Sequence, residues 1–303
     1  MGQRRPPVRL GRQAVLTMTL SRRQVADLLD RHGLRPSRAL GQNFVIDPNT
    51  VRRIAKLAEV GPGDHVVEVG AGLGSLTLAL LETGAEVVAV EADRHLLPAL
   101  EEAVGGAECA TGSLRIVLSD AMRTDWQTLL DGSIRWVLVA NLPYNIATPL
   151  IADLLDGVPQ VVRMLVMVQA EVGERLAAKP GDDAYGAVSV KVAYWATASI
   201  VGRVPASVFV PRPKVESVLV DIRRRSSPAL APEVVDAAWL FELVRAGFGH
   251  RRKMLRRALA GLVAPEAFDV AGVRPEARAE ELGVEDWGRL AVAARTVRDS
   301  ADG

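Results

Sequence analysis

The sequence predicts an α/β fold, a seven-stranded and mainly parallel sheet followed by a small all-helical C-terminal domain, over 303 residues. Three observations carry that expectation. Five near-continuous apolar runs alternate with helical stretches. Two more Val-rich runs follow, joined by a connection too short for a crossover helix. After residue 225 the pattern is helical only. Strands covered on both faces read as unbroken apolar runs, whereas a half-solvated sheet would alternate.

Taken in order, the first 18 residues, "MGQRRPPVRLGRQAVLTM", carry arginines and no acid. They lack the serine-rich pattern of a transit peptide, so residues 1–20 are expected to form a disordered basic extension. Ser21 opens a capping box, "SRRQ", and the helix it starts runs to Gly33. "RPSRALGQNFVID" (35–47) reads as a loop, after which Asp47 caps a second helix with Pro48 in its first turn. The strands are "HVVEVG" (65–70), "EVVAVE" (86–91), "LRIVLSD" (114–120), "IRWVLVAN" (134–141) and "RMLVMVQ" (163–169). "ASIVGRV" (198–204) and "SVLVDIR" (217–223) are expected to pair as an antiparallel hairpin at the sheet edge. "RRRSSPALAP" (223–232) reads as a linker, which divides the chain into 1–20, a domain at 21–225 and a helical domain at 226–303.

Composition narrows the function. A single cysteine, Cys109, rules out a disulfide framework and suggests a reducing, cytoplasmic setting. The four histidines (His32, His65, His95, His250) are scattered, so no metal is expected. No apolar run approaches the ~20 residues of a membrane span. Charge is unevenly spread: residues 1–60 hold 12 Lys/Arg against 4 Asp/Glu, and residues 61–160 hold 4 against 14. A cationic face can therefore coexist with a net charge of +1.

The chemistry concentrates after the strands. "VVEVGAGLGSLTLALL" is a strand, then Gly70, Gly72 and Gly74, then a helix. Glycines allow a tight turn and close approach of backbone to a ligand. The spacing is G-x-G-x-G, not the dinucleotide pattern, and Glu68 in front of it disfavours a pyrophosphate. Glu91 ends the next strand, where an acid bonds ribose hydroxyls. Asp120 ends the third strand and is placed to accept from an adenine amino group. Acids around a ligand with no phosphate suit S-adenosyl-L-methionine, a cation. The bland alternative is a glycine turn without a ligand, with Asp120 as a helix cap.

"NLPYNI" closes the fourth strand at the same rim. An exocyclic base amine is a poor nucleophile because its lone pair is delocalised into the ring. The Asn141 side-chain oxygen and the backbone carbonyl of Leu142 or Pro143 could hold its two N–H groups and aim the lone pair at a methyl donor. Tyr144 supplies a stacking face for an extruded base, a contact of roughly 1–3 kcal/mol.

These stretches, with "GQNFVID", "VEADRHL", "QAEVGERL", "AYGAVSVKV" and "VFVPRPKVES", resemble the ribosomal RNA adenine N6-dimethyltransferases from about Ser21 to Leu290. "NLPYN", the Phe-x-Pro-x-Pro-Lys-Val loop and "FGHRRKMLRRAL" resemble the small-subunit (16S) branch more than the large-subunit resistance methylases. The resemblance implies a Rossmann-like class I fold dependent on S-adenosyl-L-methionine. It also implies dimethylation of two adjacent adenines in the 3′-terminal hairpin loop of small-subunit rRNA. The implied setting is an immature 30S-type subunit, with a monomeric enzyme and no membrane. Carried over residue by residue, it puts Asn43 and the backbone of Val45 on the cofactor, where leucine is usual at 45. It puts Gly70, Gly72, Glu91 and Asp120 along the cofactor's methionine, ribose and adenine ends, and Asn141 at the methyl. Phe209 would be a second aromatic closing on the base.

"HRRKMLRRALAGL" (250–262) is expected to be one packed helix. On it Arg252/Arg256 and Lys253/Arg257 fall at i,i+4 and, with Arg251, form a basic stripe for RNA phosphates, while Met254, Leu255, Ala258 and Leu259 face inward. "RPPVRLGRQ", "RPSRAL" and "RRR" (223–225) could extend it. Target choice would come from RNA shape and an unpaired base. Rival readings are an NAD-dependent oxidoreductase, a large-subunit methylase, and an assembly or nucleic-acid-binding factor without turnover.

Overall fold

The computed structural model describes residues 19–37, 40–105, 113–130 and 135–301. The expected basic extension falls outside the described residues except for Thr19 and Leu20, as does Cys109. α1 (Arg22–Arg31) begins at the capping box: the Gln24 N–H donates to Ser21 Oγ, and the Ser21 N–H donates to Gln24 Oε1 at 2.9 Å. After β1 (Phe44–Val45), Asp47 accepts from the Asn49 and Thr50 N–H groups and so starts α2 (Pro48–Ala58).

Alternation then follows: β2 (His65–Val69), α3 (Ser75–Leu81), β3 (Glu86–Glu91), α4 (Leu97–Gly105), β4 (Leu114–Leu118) and α5 (Trp126–Leu129). Next come β5 (Trp136–Asn141), α6 (Ala147–Gly157), β6 (Val161–Gln169), α7 (Ala170–Ala177) and α8 (Ala187–Trp195). β7 (Ala196–Val204), β8 (Phe209–Val210) and β9 (Ser217–Arg224) complete the strands. The main sheet has the order β4-β3-β2-β5-β6-β9-β7, and its first five strands are parallel. β9 alone runs the other way, antiparallel to both its neighbours. The expected antiparallel pair is present, with one refinement. β9 is buried from Ser217 to Ile222 and lies inside the sheet, while the half-exposed β7 forms the edge. A short second sheet pairs Phe44 with Val210 and Val45 with Phe209.

One face of the sheet packs on α6 through Leu150, Ile151 and Leu154. The other packs on α2 and α3 through Val51, Ile54, Leu76 and Leu80. Chain connections leave β2 and β5 toward opposite edges, so a crevice opens between their C-terminal ends, where open α/β sheets keep their ligands.

The C-terminal part comprises α9 (Ala237–Gly249), α10 (Leu255–Ala258), α11 (Pro265–Ala271) and α12 (Val284–Ala301), with no strand among its described residues. Its core of Leu240, Phe268, Trp287 and Leu290 continues into Tyr185, Val190 and Tyr194 of the preceding segment. Tyr194 meets Phe241 edge-on at 5.3 Å, and the Tyr185 hydroxyl donates to Leu282 O at 3.0 Å. The sequence boundary at 225/226 thus crosses a shared core. The linker also starts later than 223, because Arg224 is the last residue of β9.

Candidate active site

The crevice is lined by the ends of β2, β3, β4 and β5 and by residues 40–45, which cross over it as a strap. The glycine loop needs its glycines. Gly70 sits at φ +76° and Gly72 at φ +60°, in the left-handed region, and a Cβ on Gly72 would come within 3.2 Å of the Phe44 ring. Gly72 N–H donates to Glu91 Oε2 at 2.8 Å, while Glu91 Oε1 accepts from Ala92 and Asp93 N–H at 2.9 and 2.8 Å. Burial pushes the Glu91 carboxyl up, and these three backbone donors oppose the shift. An ionised carboxylate offers roughly four lone-pair positions, so one remains for a ribose hydroxyl.

Glu68, 1% exposed, accepts from the Thr77 hydroxyl at 2.6 Å. Burial is the main reason that its carboxyl is pushed up to about 8, and the neighbouring Glu91 adds to the shift. Asp120 lies at the other end of the crevice and does two things at once. Its Oδ1 accepts from the Met122 N–H at 2.9 Å, as a cap would, while Oδ2 stands 3.8 Å from the exposed Arg123.

At the fourth strand the Asn141 amide nitrogen donates to the Asn43 carbonyl at 3.0 Å. A carbonyl can only accept, so this bond fixes which end of the amide is which. Asn141 Oδ1 takes no hydrogen bond from any described residue and lines the crevice. The two backbone carbonyls of the following turn differ in occupancy. Pro143 O is occupied by Ile146 and Ala147 N–H, at 3.1 and 3.2 Å, in the first turn of α6, and no described group donates to Leu142 O. The Tyr144 hydroxyl bonds Ser217 Oγ at 3.1 Å, which anchors the ring beside that acceptor pair; burial pushes the phenol pKa up.

Asn43, Val45, Gly70, Gly72, Glu91, Asp120, Asn141, Leu142, Pro143 and Tyr144 all line this one crevice. Phe209 does not. Its side chain is 2% exposed and packs in the core with Val45, Leu165, Met167 and Leu219, because pairing of Phe209 with Val45 turns it under the strap. Sequence reasoning missed Gln42, whose amide ties the strap to Asp93 Oδ2 at 2.9 Å, and Ser217, the anchor of Tyr144. Partners 51 and 73 positions apart leave no local signal. It also missed Ser75, whose hydroxyl is buried, lines the crevice and has no hydrogen-bond partner among the described residues. An orphaned buried hydroxyl is costly unless a ligand satisfies it.

The basic segment differs from expectation. Helix α9 ends at Gly249, and α10 spans only Leu255–Ala258, so Arg251, Arg252 and Lys253 lie on a turn and not on one helical stripe. Met254 is 40% exposed, while Leu255, Ala258 and Leu259 are buried as expected. Acids absent from the run arrive from elsewhere in the chain: Arg251 pairs with Glu280 at 2.6 Å and Arg256 with Glu276 at 3.2 Å. Arg252, Lys253 and Arg257 are exposed and form no ion pair among the described residues. The "RRR" run is structural. Arg223 pairs with Asp221 and Glu59, Arg224 donates to the carbonyls of Leu154, Leu155, Val158 and Val161, and Arg225 donates to Ala193 O.

A parallel sheet with one reversed strand next to its edge, and a crevice at the strand ends lined by a glycine turn and carboxylates, is a Rossmann-like class I methyltransferase. The chain belongs to the ribosomal RNA adenine dimethylase family, whose model matches residues 34–295. It is 48% identical to the "Ribosomal RNA small subunit methyltransferase A" of Kineococcus radiotolerans, over 92% of this chain and 93% of that one. The protein of the same name from Thermobifida fusca is also 48% identical, over 91% and 95%. Among solved structures, the 23S rRNA methyltransferase ErmE superposes with a TM-score of 0.63 at 25% identity, covering 83% of this chain and 99% of that one. A dimethyladenosine transferase from Plasmodium falciparum shares the fold, with a TM-score of 0.68 at 24% identity over 82% and 95%. The chain is an adenine dimethyltransferase whose methyl donor is S-adenosyl-L-methionine. The residues present fit that donor: a left-handed Gly72 where a Cβ would press on the Phe44 ring, an orphaned hydroxyl at Ser75, and carboxyls at Glu68 and Glu91 to face a cation.

Proposed function

We propose that this chain dimethylates the N6 atoms of two adjacent adenines in the 3′-terminal hairpin loop of small-subunit rRNA. It acts as a cytoplasmic monomer on an immature 30S-type subunit. The observation that carries this reading is the pair of unused acceptors at Asn141 Oδ1 and Leu142 O, set beside an anchored Tyr144 ring.

When bound, S-adenosylmethionine supplies an electrophilic methyl carbon. The chain's own contribution is alignment. Two acceptors take the two N–H groups of the target amine, which turns its lone pair out of conjugation with the ring. Tyr144 gives the extruded base a face to stack on, and Ser217 keeps that ring from swinging away. Alignment of this kind can supply ~7–11 kcal/mol of the barrier. No strong general base is required, because the methylated amine becomes acidic enough to lose its proton to water. The cofactor contacts fall to Asn43, Val45, Gly70, Gly72, Glu91 and Asp120. Arg252, Lys253 and Arg257 meet RNA phosphates, with Arg251 and Arg256 held back by their acids.

Sequence identity of 48% to small-subunit enzymes, against 25% to the large-subunit ErmE, favours the small subunit as target. The test is transfer of labelled methyl groups to undermodified small subunits, with the products mapped by mass spectrometry. Label on large subunits alone, or none, would refute the reading, and the second result would favour an assembly factor without turnover.

A further inference from the structure

Tyr144 divides the C-terminal rim of the sheet into two electrostatic halves. Toward β4 the crevice is lined by the acids Glu68, Glu91 and Asp120. In the other direction the rim continues over β6, β9 and β7, where the exposed Arg203, Arg212 and Lys214 outnumber Glu216 on the β7–β9 side, and the exposed Glu171 that follows β6 is paired with Arg175. Because β7 runs in the same direction as β6, its end at Arg203 and Val204 lies on the cleft side of the sheet, and the reversed β9 starts there at Ser217.

Between β8 and β9, the loop 211–216 carries Arg212 and Lys214, both exposed. Neither makes a side-chain hydrogen bond or ion pair among the described residues. Both ends of the loop are pinned to the crevice. Val210 pairs with Phe44, which lines it, and Ser217 Oγ holds the Tyr144 hydroxyl at 3.1 Å. Glu216 O also accepts from the Ala170 N–H at 3.0 Å. Two more cations lean in from behind: Arg22 donates to Ser207 O at 3.4 Å, and Arg53 donates to Arg203 O at 3.3 Å. Arg203 has one acidic neighbour, Glu216 at 3.9 Å, and both side chains are more than half exposed. An ion pair that loose holds little.

We infer that Arg203, Arg212 and Lys214, backed by Arg22 and Arg53, form a phosphate track that seats the RNA strand adjoining the extruded adenine. The inference rests on the RNA-methylation reading above. The physical reason is a division of charge: a cationic cofactor enters the acidic half of the rim, a polyanion the basic half, and the reacting amine sits at the junction. The loop that bears Arg212 and Lys214 is tied to Tyr144 through Ser217 and to Phe44 through Val210. These cations are therefore positioning residues and do not touch the reacting atoms.

The double variant Arg212→Gln/Lys214→Gln tests the track, assayed on undermodified small subunits over a range of salt concentrations. The expected result is a KM raised about tenfold with kcat near wild type, and a salt-dependence slope reduced by ~1 for each lost phosphate contact. The charge-preserving pair Arg212→Lys/Lys214→Arg should restore KM. Unchanged affinity for S-adenosylmethionine, measured by calorimetry, shows that the variant is folded. A double variant with wild-type KM and salt slope overturns the track and leaves the proposed function standing. If the wild-type protein fails to methylate small subunits, the proposed function falls instead, and the salt slope of subunit binding by filter retention then decides the track alone.

Discussion

The crevice and the segment 250–257 are equally conspicuous as strings of residues, yet folding treats them differently. In the crevice, every loop that follows a parallel strand of β2, β3, β4 or β5 delivers its side chains to one rim, because parallel strands all end on the same side. In 250–257 the helix breaks at Gly249 and two of the five cations are taken by Glu280 and Glu276. A site built on strand ends inherits its geometry from the sheet. A charged patch depends on which distant residues fold against it.

The strongest way to break this contrast is Asn141→Ala. Removing the acceptor for the reacting amine, together with the N–H that holds the Asn43 carbonyl, should lower kcat by at least ~10²-fold while RNA affinity stays near wild type. Single-turnover methyl transfer measures it, and a mutant with full kcat would show that the rim does not align the base.

Arg224 sharpens the contrast from the other side. It is a cation in a basic run whose four hydrogen bonds all go to carbonyls, so Arg224→Gln should cost about 2–3 kcal/mol of unfolding free energy. Urea denaturation reads that loss, and the salt slope for RNA should not move.

A proton couples the cofactor end to pH. Burial pushes Glu68 up to about 8, which favours its protonated form at neutral pH. A cationic ligand beside it favours the ionised form, so binding releases that proton. Affinity for S-adenosylmethionine should therefore rise with pH, by up to about tenfold per unit, and level off above about 8. Calorimetry in buffers of different ionisation enthalpy counts the proton, and Glu68→Gln should flatten the profile. A wild-type profile that is flat from pH 6 to 8 would remove Glu68 from the binding step.

The smallest effects belong to the C-terminal cations. Arg252→Gln/Lys253→Gln should weaken RNA binding several-fold and lower the salt slope by ~2. Arg256→Gln, already paired with Glu276, should change binding by less than either residue of that pair. Equal losses from all three positions would mean that the ion pairs open on RNA and that the segment does act as a unit.

The sequence by itself determined the sheet, the helical C-terminal part and eight of the crevice residues, because each depends on a local pattern; Asn43 and Val45 were legible only through the family resemblance. Apolar runs of strand length, a G-x-G-x-G turn and an acid or an amide at a strand end are all visible within a few positions. Only the tertiary structure decided that Phe209 is buried, that Leu142 and not Pro143 keeps its carbonyl free, and that Asn141 faces the crevice with its oxygen. It alone decided which arginines remain unpaired. Each of those outcomes is a contest for hydrogen bonds or burial between residues far apart in the chain, and such a contest has no winner until the chain has folded.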